Sequence, residues 1–189
     1  MAQKHNKEFY SQAVSKYGIS AQGVHWNSEF SQYKRFEILT DFIKEDISNS
    51  TIVDVGCGMG EYYNYLMDNE LKPKEYFGID CEPQMTTLAQ KRYPKAQFEL
   101  KNALTDTLPV ADYYICSGAM NILDMNEFHL FILNCFEKSE KGFLFNFLIK
   151  ESYNQMSKDE VLLYCKDFSS NIQIQENYLD NDISIFLSK

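Results

Sequence analysis

The chain has 189 residues, 44 % hydrophobic and 15 % aromatic, which is enough for one sizeable core and short for two domains. A formal net charge of -9 disfavours nucleic acid as a main partner, because phosphate binding draws on clustered Lys and Arg, and the densest basic groups are only KPK at 72–74 and QKRYPK at 90–95. Five cysteines without a C-x-x-C pair argue for reduced thiols, and three scattered histidines offer no zinc spacing, so no metal is expected.

The N-terminal stretch MAQKHNKEFYSQAVSKYG is polar and lacks a secretory apolar run. The longest apolar run, GFLFNFLI, is broken by Asn146 and is only of strand length. Both point to a cytoplasmic protein without a membrane partner. Residues 1–48 are helical in pattern, with Phe30, Tyr33, Phe36, Leu39, Phe42 and Ile43 recurring every three or four positions and Ser28 placed as an N-cap. Ahead of this run, residues 17–29 read as a loop holding the single tryptophan, Trp26.

From residue 51 the pattern alternates. It predicts strands at 51–56, 75–80, 96–101, 111–117 and 142–149, with helices at 60–69, 82–92 and 125–139. Glu82 and Pro83 form a helix-start signal, and Phe128, Phe131, Ile132, Cys135 and Phe136 share one helical face. This order implies a mostly parallel sheet with helices on both faces. The third-to-fourth crossover, NALTDTLPVA, is short. If the fourth strand lies beside the first, the chain crosses three spacings of about 4.8 Å, while ten extended residues reach about 33 Å. A loop or single turn is therefore expected there. The chain closes with a helix at 157–167 and an antiparallel hairpin, in which Ile172 and Ile174, and then Ile183 and Ile185, alternate with polar residues on either side of the turn cluster LDND.

The stretch VDVGCGMGEY places Gly56, Gly58 and Gly60 between a strand and a helix. Glycines there permit positive φ and close approach of a ligand to the backbone. In a dinucleotide fingerprint the third glycine would fall at position 61, which is Glu61, and a pyrophosphate would also meet Asp54. S-adenosylmethionine has no phosphate and carries a sulfonium and an ammonium group, so both carboxylates favour it. Asp80, about twenty residues past the glycines, suits the ribose hydroxyls of either ligand. A nicotinamide-dependent oxidoreductase and a non-catalytic binding module therefore stand as alternatives at this point.

The same segments resemble the class I S-adenosylmethionine-dependent methyltransferases. VDVGCGMGEY is similar to their first motif, YFGIDCEPQMTTLAQKRYP to their second, FELKNAL to the segment that contacts the adenine amine, and YYICSGAMNIL to the fourth-strand motif beneath the methyl group. The resemblance covers about residues 50–189. It implies a Rossmann-like α/β fold: a seven-stranded, mostly parallel sheet, an antiparallel C-terminal hairpin, helices on both faces and an N-terminal helical lid. On this reading the chain is one domain, with residues 1–48 as lid and 49–189 as core. The cofactor implied is S-adenosyl-L-methionine, with S-adenosyl-L-homocysteine as product. The cofactor residues implied are Asp54, Gly56, Cys57, Gly58, Gly60, Asp80, Cys81, Met85, Asn102, Ala103, Ser117 and Gly118, with Asn102 standing where the family often has Asp. The W-N-S, Q-x-x-R-F and Phe-Asn patterns at 26–28, 32–36 and 145–146 are similar to a branch of small bacterial methyltransferases, and they name no acceptor.

Ligands of an open parallel sheet bind at the carboxyl ends of its strands. That edge holds Ser117 to Asn121 and Asn146 to Lys150, and a lid would add His25, Trp26 and Arg35. Trp26 could stack on adenine or the acceptor, and Arg35 could clamp the cofactor carboxylate. Candidate catalytic residues are His25 as a base and Asn121 and Asn146 as orienting groups, with Tyr153 and Tyr178 behind them. A small metabolite or a sugar- or nucleotide-linked intermediate, methylated on oxygen or nitrogen, is the expected acceptor.

Overall fold

The computed structural model describes residues 29–150, 152 and 156–189. Seven strands make one sheet: β1 (Thr51–Val55), β2 (Glu75–Asp80), β3 (Gln97–Leu100), β4 (Ala111–Ser117), β5 (Ser139–Leu148), β6 (Asn171–Gln175) and β7 (Asp182–Ser188). Their order is β3-β2-β1-β4-β5-β7-β6. The first five run parallel, and β7 lies antiparallel between β5 and β6. This is the mostly parallel sheet that the alternating pattern predicts, with the terminal hairpin in place, and it is the Rossmann-like, seven-stranded form that the resemblance implies.

The helices are α1 (Glu29–Asp41), α2 (Glu61–Asp68), α3 (Pro83–Arg92), α4 (Met125–Lys138) and α5 (Lys158–Cys165), with 3-10 turns at Lys44–Asn49 and Ala119–Ile122. Local chemistry sets their starts. Pro83 opens α3, and capping boxes pair Asp124 with Glu127 at α4 and Ser157 with Glu160 at α5. The predicted apolar face of α4 is buried against Val53, Cys116, Phe143, Phe145 and Phe147. Each such large side chain removed from water contributes about 1.5–3 kcal/mol. The short crossover carries no helix: Asn102 accepts from Thr105 and Asp106 in a single turn before β4.

The N-terminal pattern resolves into two pieces. At the end of α1 the Ile43 N–H bonds back to the Thr40 carbonyl at 3.0 Å, and the chain tightens into the 3-10 turn. Phe36, Leu39 and Ile43 are buried as the spacing predicts, whereas Phe30 is 72 % exposed. α1 packs on β5, β7 and α2, so the described part of the expected lid is a layer of the sandwich. Ser28, His25 and Trp26 lie outside the described residues, as does Tyr153.

The two faces of the sheet differ. The face under α4 and α5 is apolar along its length. The face under α1 and α2 is apolar only in its lower half, through Ile52, Ile115, Leu144 and Phe186. Side chains two positions further along β1, β4 and β5, and two and four positions back along antiparallel β7, point to the same side. They are Asp54, Ser117, Asn146, Ser184 and Asp182, all buried. A buried polar row thus lies under α1 at the carboxyl edge of the parallel strands.

Candidate active site

The glycine turn leaves β1 at Val55 and enters α2 at Glu61. Gly56, Gly58 and Gly60 have φ of 76°, 53° and 83°, all in the left-handed region that favours glycine. The Gly56 and Cys57 N–H groups both donate to the Ile79 carbonyl, at 2.8 and 3.0 Å, which pins the turn to β2. Two of the glycines are also demanded by close packing. A Cβ on Gly56 would lie 2.3 Å from the Ala119 Cβ, and one on Gly60 would lie 2.9 Å from the Tyr93 ring. Gly58 stands half-exposed at the crest.

Asp80 closes β2 and spans the turn. Its Oδ2 accepts from the Gly58 N–H and its Oδ1 from the Glu82 N–H, both at 2.9 Å. Burial raises its pKa above the usual carboxylate range, and the bonds from Glu82, Gly58 and Cys81 oppose that rise. Asp54 is buried in the polar row and accepts from the Tyr76 hydroxyl at 2.7 Å. Burial pushes its pKa up to about 7; the Tyr76 bond lowers it and the Asp80 charge raises it further. Asp54 is therefore a carboxylate that ionises near neutrality and gains most from a neighbouring cation.

Glu61 corrects the reading of the turn. It forms an ion pair with Arg92 of α3, whose Nη1 also donates to the Met59 carbonyl at 3.0 Å. Its charge is thus met by Arg92, which leaves Asp54 and Asp80 as the carboxylates beside the turn, among the described residues, without a basic partner. Asn102 also differs from expectation. Its Oδ1 accepts from the Leu104 N–H at 2.9 Å and its own N–H is bonded by Asp106, so the side chain already holds the turn after β3. Met85 and Ala103 are buried and Cys81 is exposed.

The β4 loop brings Ser117, Gly118 and Ala119 against the glycine turn. Ser117 Oγ is buried and has no hydrogen-bond partner among the described residues. A buried hydroxyl without a partner costs about 1–3 kcal/mol. Gly118 has φ 80° and donates to the Asn146 Oδ1 at 2.9 Å. Asn121 Oδ1 accepts from the Leu148 N–H at 2.9 Å.

Two expected contacts are corrected here. Asn146 is fully buried and both ends of its amide are engaged, Oδ1 by Gly118 and Nδ2 by Asp182 at 3.2 Å, so it does not orient an acceptor directly. Arg35 is buried in a two-pronged pair with Asp182, through Nε to Oδ1 and through Nη2 to Oδ2 at 3.0 Å, so its charge is met by the chain itself and not by a cofactor carboxylate. Sequence reasoning missed Asp182, which looked like part of the LDND turn, and Tyr76, which looked like an ordinary strand residue. Their partners lie 147 positions away in Arg35 and 22 positions away in Asp54. Among the described residues no group of His, Cys, Asp and Glu is placed to hold a metal, and no helix is long and apolar enough to cross a membrane.

Comparison with known proteins agrees with this geometry. Residues 52–142 match a family model described as a methyltransferase domain. A Mycobacterium tuberculosis protein named as a methyltransferase, Rv1506c, is 34 % identical over 62 % of this chain and 73 % of its own length. The protein 235L of Invertebrate iridescent virus 6, also named as a methyltransferase, is 24 % identical over 77 % of this chain. This chain spans 59 % of the length of that viral relative. Among solved structures, magnesium protoporphyrin IX methyltransferase from Synechocystis with bound SAM superposes with a TM-score of 0.73 at 11 % identity, covering 100 % of this chain and 97 % of that one. The N-methyltransferase NodS from Bradyrhizobium japonicum, in complex with S-adenosylhomocysteine, gives 0.68 at 12 % identity, covering 96 % and 97 %.

Proposed function

Given that the chain belongs to the class I S-adenosylmethionine-dependent methyltransferases, we propose that it transfers a methyl group to oxygen or nitrogen of a small metabolite or a sugar- or nucleotide-linked intermediate. The carrying observation is the state of its arginines. Arg35 is paired with Asp182 and Arg92 with Glu61, and these are the only two arginines in the sequence. The edge where donor and acceptor meet instead presents Asp54 and Asp80. An extended phosphodiester acceptor would find repulsion there. Five unpaired cysteines fit a reducing cytoplasmic setting.

The residues present fit the donor. S-adenosylmethionine, when bound, supplies an electrophilic methyl group on a cationic sulfur. Gly58 lets the turn approach it without a side chain, and Asp80 has carboxylate lone pairs for ribose hydroxyls. Asp54 and the unpartnered Ser117 Oγ serve the polar, cationic end. Cys57, Gly60, Cys81, Met85, Ala103 and Gly118 complete the walls, and Asn102 keeps the turn beside the adenine end. Methyl transfer is an in-line displacement at carbon, so position and a water-poor pocket are the chain's main contributions. Asn121, tied to the end of β5, borders the acceptor side. For an oxygen acceptor a base is required, and His25, outside the described residues, is the residue we assign to it, with Trp26 as a stacking residue.

The test is to incubate the protein with methyl-labelled S-adenosylmethionine and a cell extract, then separate small molecules from RNA and protein. Label in the small-molecule pool supports the reading. Label confined to the RNA or protein fraction would replace it with a macromolecular acceptor.

A further inference from the structure

The Q-x-x-R-F and Phe-Asn patterns remain unexplained by the donor site alone, and the structure joins them. Arg35 of α1 grips both oxygens of Asp182 at the start of β7. Asp182 Oδ1 also accepts from the Asn146 Nδ2 at 3.2 Å. Asn146 Oδ1 accepts from the Gly118 N–H at 2.9 Å. The next residue, Ala119, packs its Cβ into the space that the missing side chain of Gly56 leaves open. One line of contacts therefore runs from the N-terminal helix through two strands and the β4 loop into the glycine turn.

Each link is directional. Asp182 is an acceptor only, so the Asn146 amide must turn its NH2 toward it, and the amide oxygen is then left to face the Gly118 N–H. Arg35 sets its guanidinium against both oxygens of the buried Asp182 carboxyl, a pairing that offsets the cost of burying it. The bonds lie in the buried polar row, where water does not compete and an unpaired member would be costly. Gly118 has φ 80°, so the chain leaves β4 through a left-handed residue. The Ala119 and Met120 N–H groups bond back to Cys116 of β4, and the Asn146 oxygen fixes the Gly118 N–H from the neighbouring strand.

We infer that Arg35, Asp182 and Asn146 are positioning residues for methyl transfer: they act through Gly118 to hold the β4 loop, and with it Ala119 and the glycine turn, in the shape that receives the donor. This rests on the donor reading above, and it goes further by making the position of α1 a condition for donor binding.

The test uses the full chain, with amide hydrogen exchange at Gly118 and a calorimetric titration with S-adenosylhomocysteine. In the wild-type protein the Gly118 amide should exchange as slowly as the β4 and β5 ladder amides; exchange at the rate of an open loop would overturn the inference without any variant. Asn146→Asp sets two carboxylates side by side, with Tyr178 and Arg35 the ionisable groups facing them. In the folded variant, protection over 118–122 should fall at least tenfold while β1 and β2 amides stay protected, and the dissociation constant should rise about tenfold. The exchange Asn146→Asp with Asp182→Asn restores one acid and one amide to the line, and it should return both readings to within about twofold of wild type. A folded Asn146→Asp protein with wild-type protection and wild-type affinity would overturn the inference. A wild-type protein that fails to bind S-adenosylhomocysteine would instead sink the donor reading, and the Gly118 exchange rates would still decide the relay.

Discussion

Asp54 is the residue whose chemistry most distinguishes this site. Its folded-state pKa of about 7 lies above the unfolded carboxylate value, so the folded protein binds the proton more tightly. Below about pH 4 both states are protonated and Asp54 costs nothing; stability is lost as pH rises through 4 to 7, and the full penalty stands above 7. Asp54→Asn keeps an acceptor for the Tyr76 hydroxyl and removes the charge. Its Tm should exceed that of the wild type at pH 8 and converge with it near pH 4, while its affinity for cationic S-adenosylmethionine should fall more than for neutral S-adenosylhomocysteine. Equal Tm differences at both pH values would remove Asp54 from this role. At this scale the glycines and Asp80 were legible in the sequence, because their backbone demands and strand-end position are local. The partners of Glu61, Arg35 and Asn146 were not, because each is set by an element far along the chain.

Among the elements, the glycine turn and the β4 loop behave as one unit. A Cβ added at Gly56 would lie only 2.3 Å from the Ala119 Cβ, whereas Gly58 stands half-exposed at the crest. Gly56→Val should therefore lower folding stability well beyond the roughly 1–3 kcal/mol of backbone strain that a left-handed residue carries, read as a reduced urea midpoint. Gly58→Val carries the strain alone; it should remain folded and give no heat with S-adenosylhomocysteine. A Gly58→Val protein that binds normally would contradict the turn's role as cradle. Elements such as α4, β1 and the terminal hairpin were readable because period and caps coincide in them. The break between α1 and the 3-10 turn was not, since Phe42 and Ile43 continue the apolar spacing while the backbone tightens at Thr40. Asp182 was misplaced for a similar reason. A turn-favouring residue type began a strand because Arg35 and Asn146 bury it.

For the whole molecule, the asymmetry of the two sheet faces is the organising fact. The face under α4 and α5 supplies the apolar core, and the face under α1 and α2 turns polar only at the carboxyl edge. Stability and function are thereby separated within one sheet, and the covering helix α1 belongs to both through Leu39 and Arg35. The net charge of -9 does not show that both arginines are already paired; the fold does. The central claim is that the glycine turn and Asp80 hold S-adenosylmethionine. Calorimetric titration of S-adenosylhomocysteine into the wild-type protein and Asp80→Ala, with NAD as control, tests it most directly. The account predicts binding of S-adenosylhomocysteine and not NAD, and a loss of about 1–3 kcal/mol in the variant from the hydrogen bonds removed. Unchanged affinity in a folded Asp80→Ala protein, or binding of NAD alone, would contradict it.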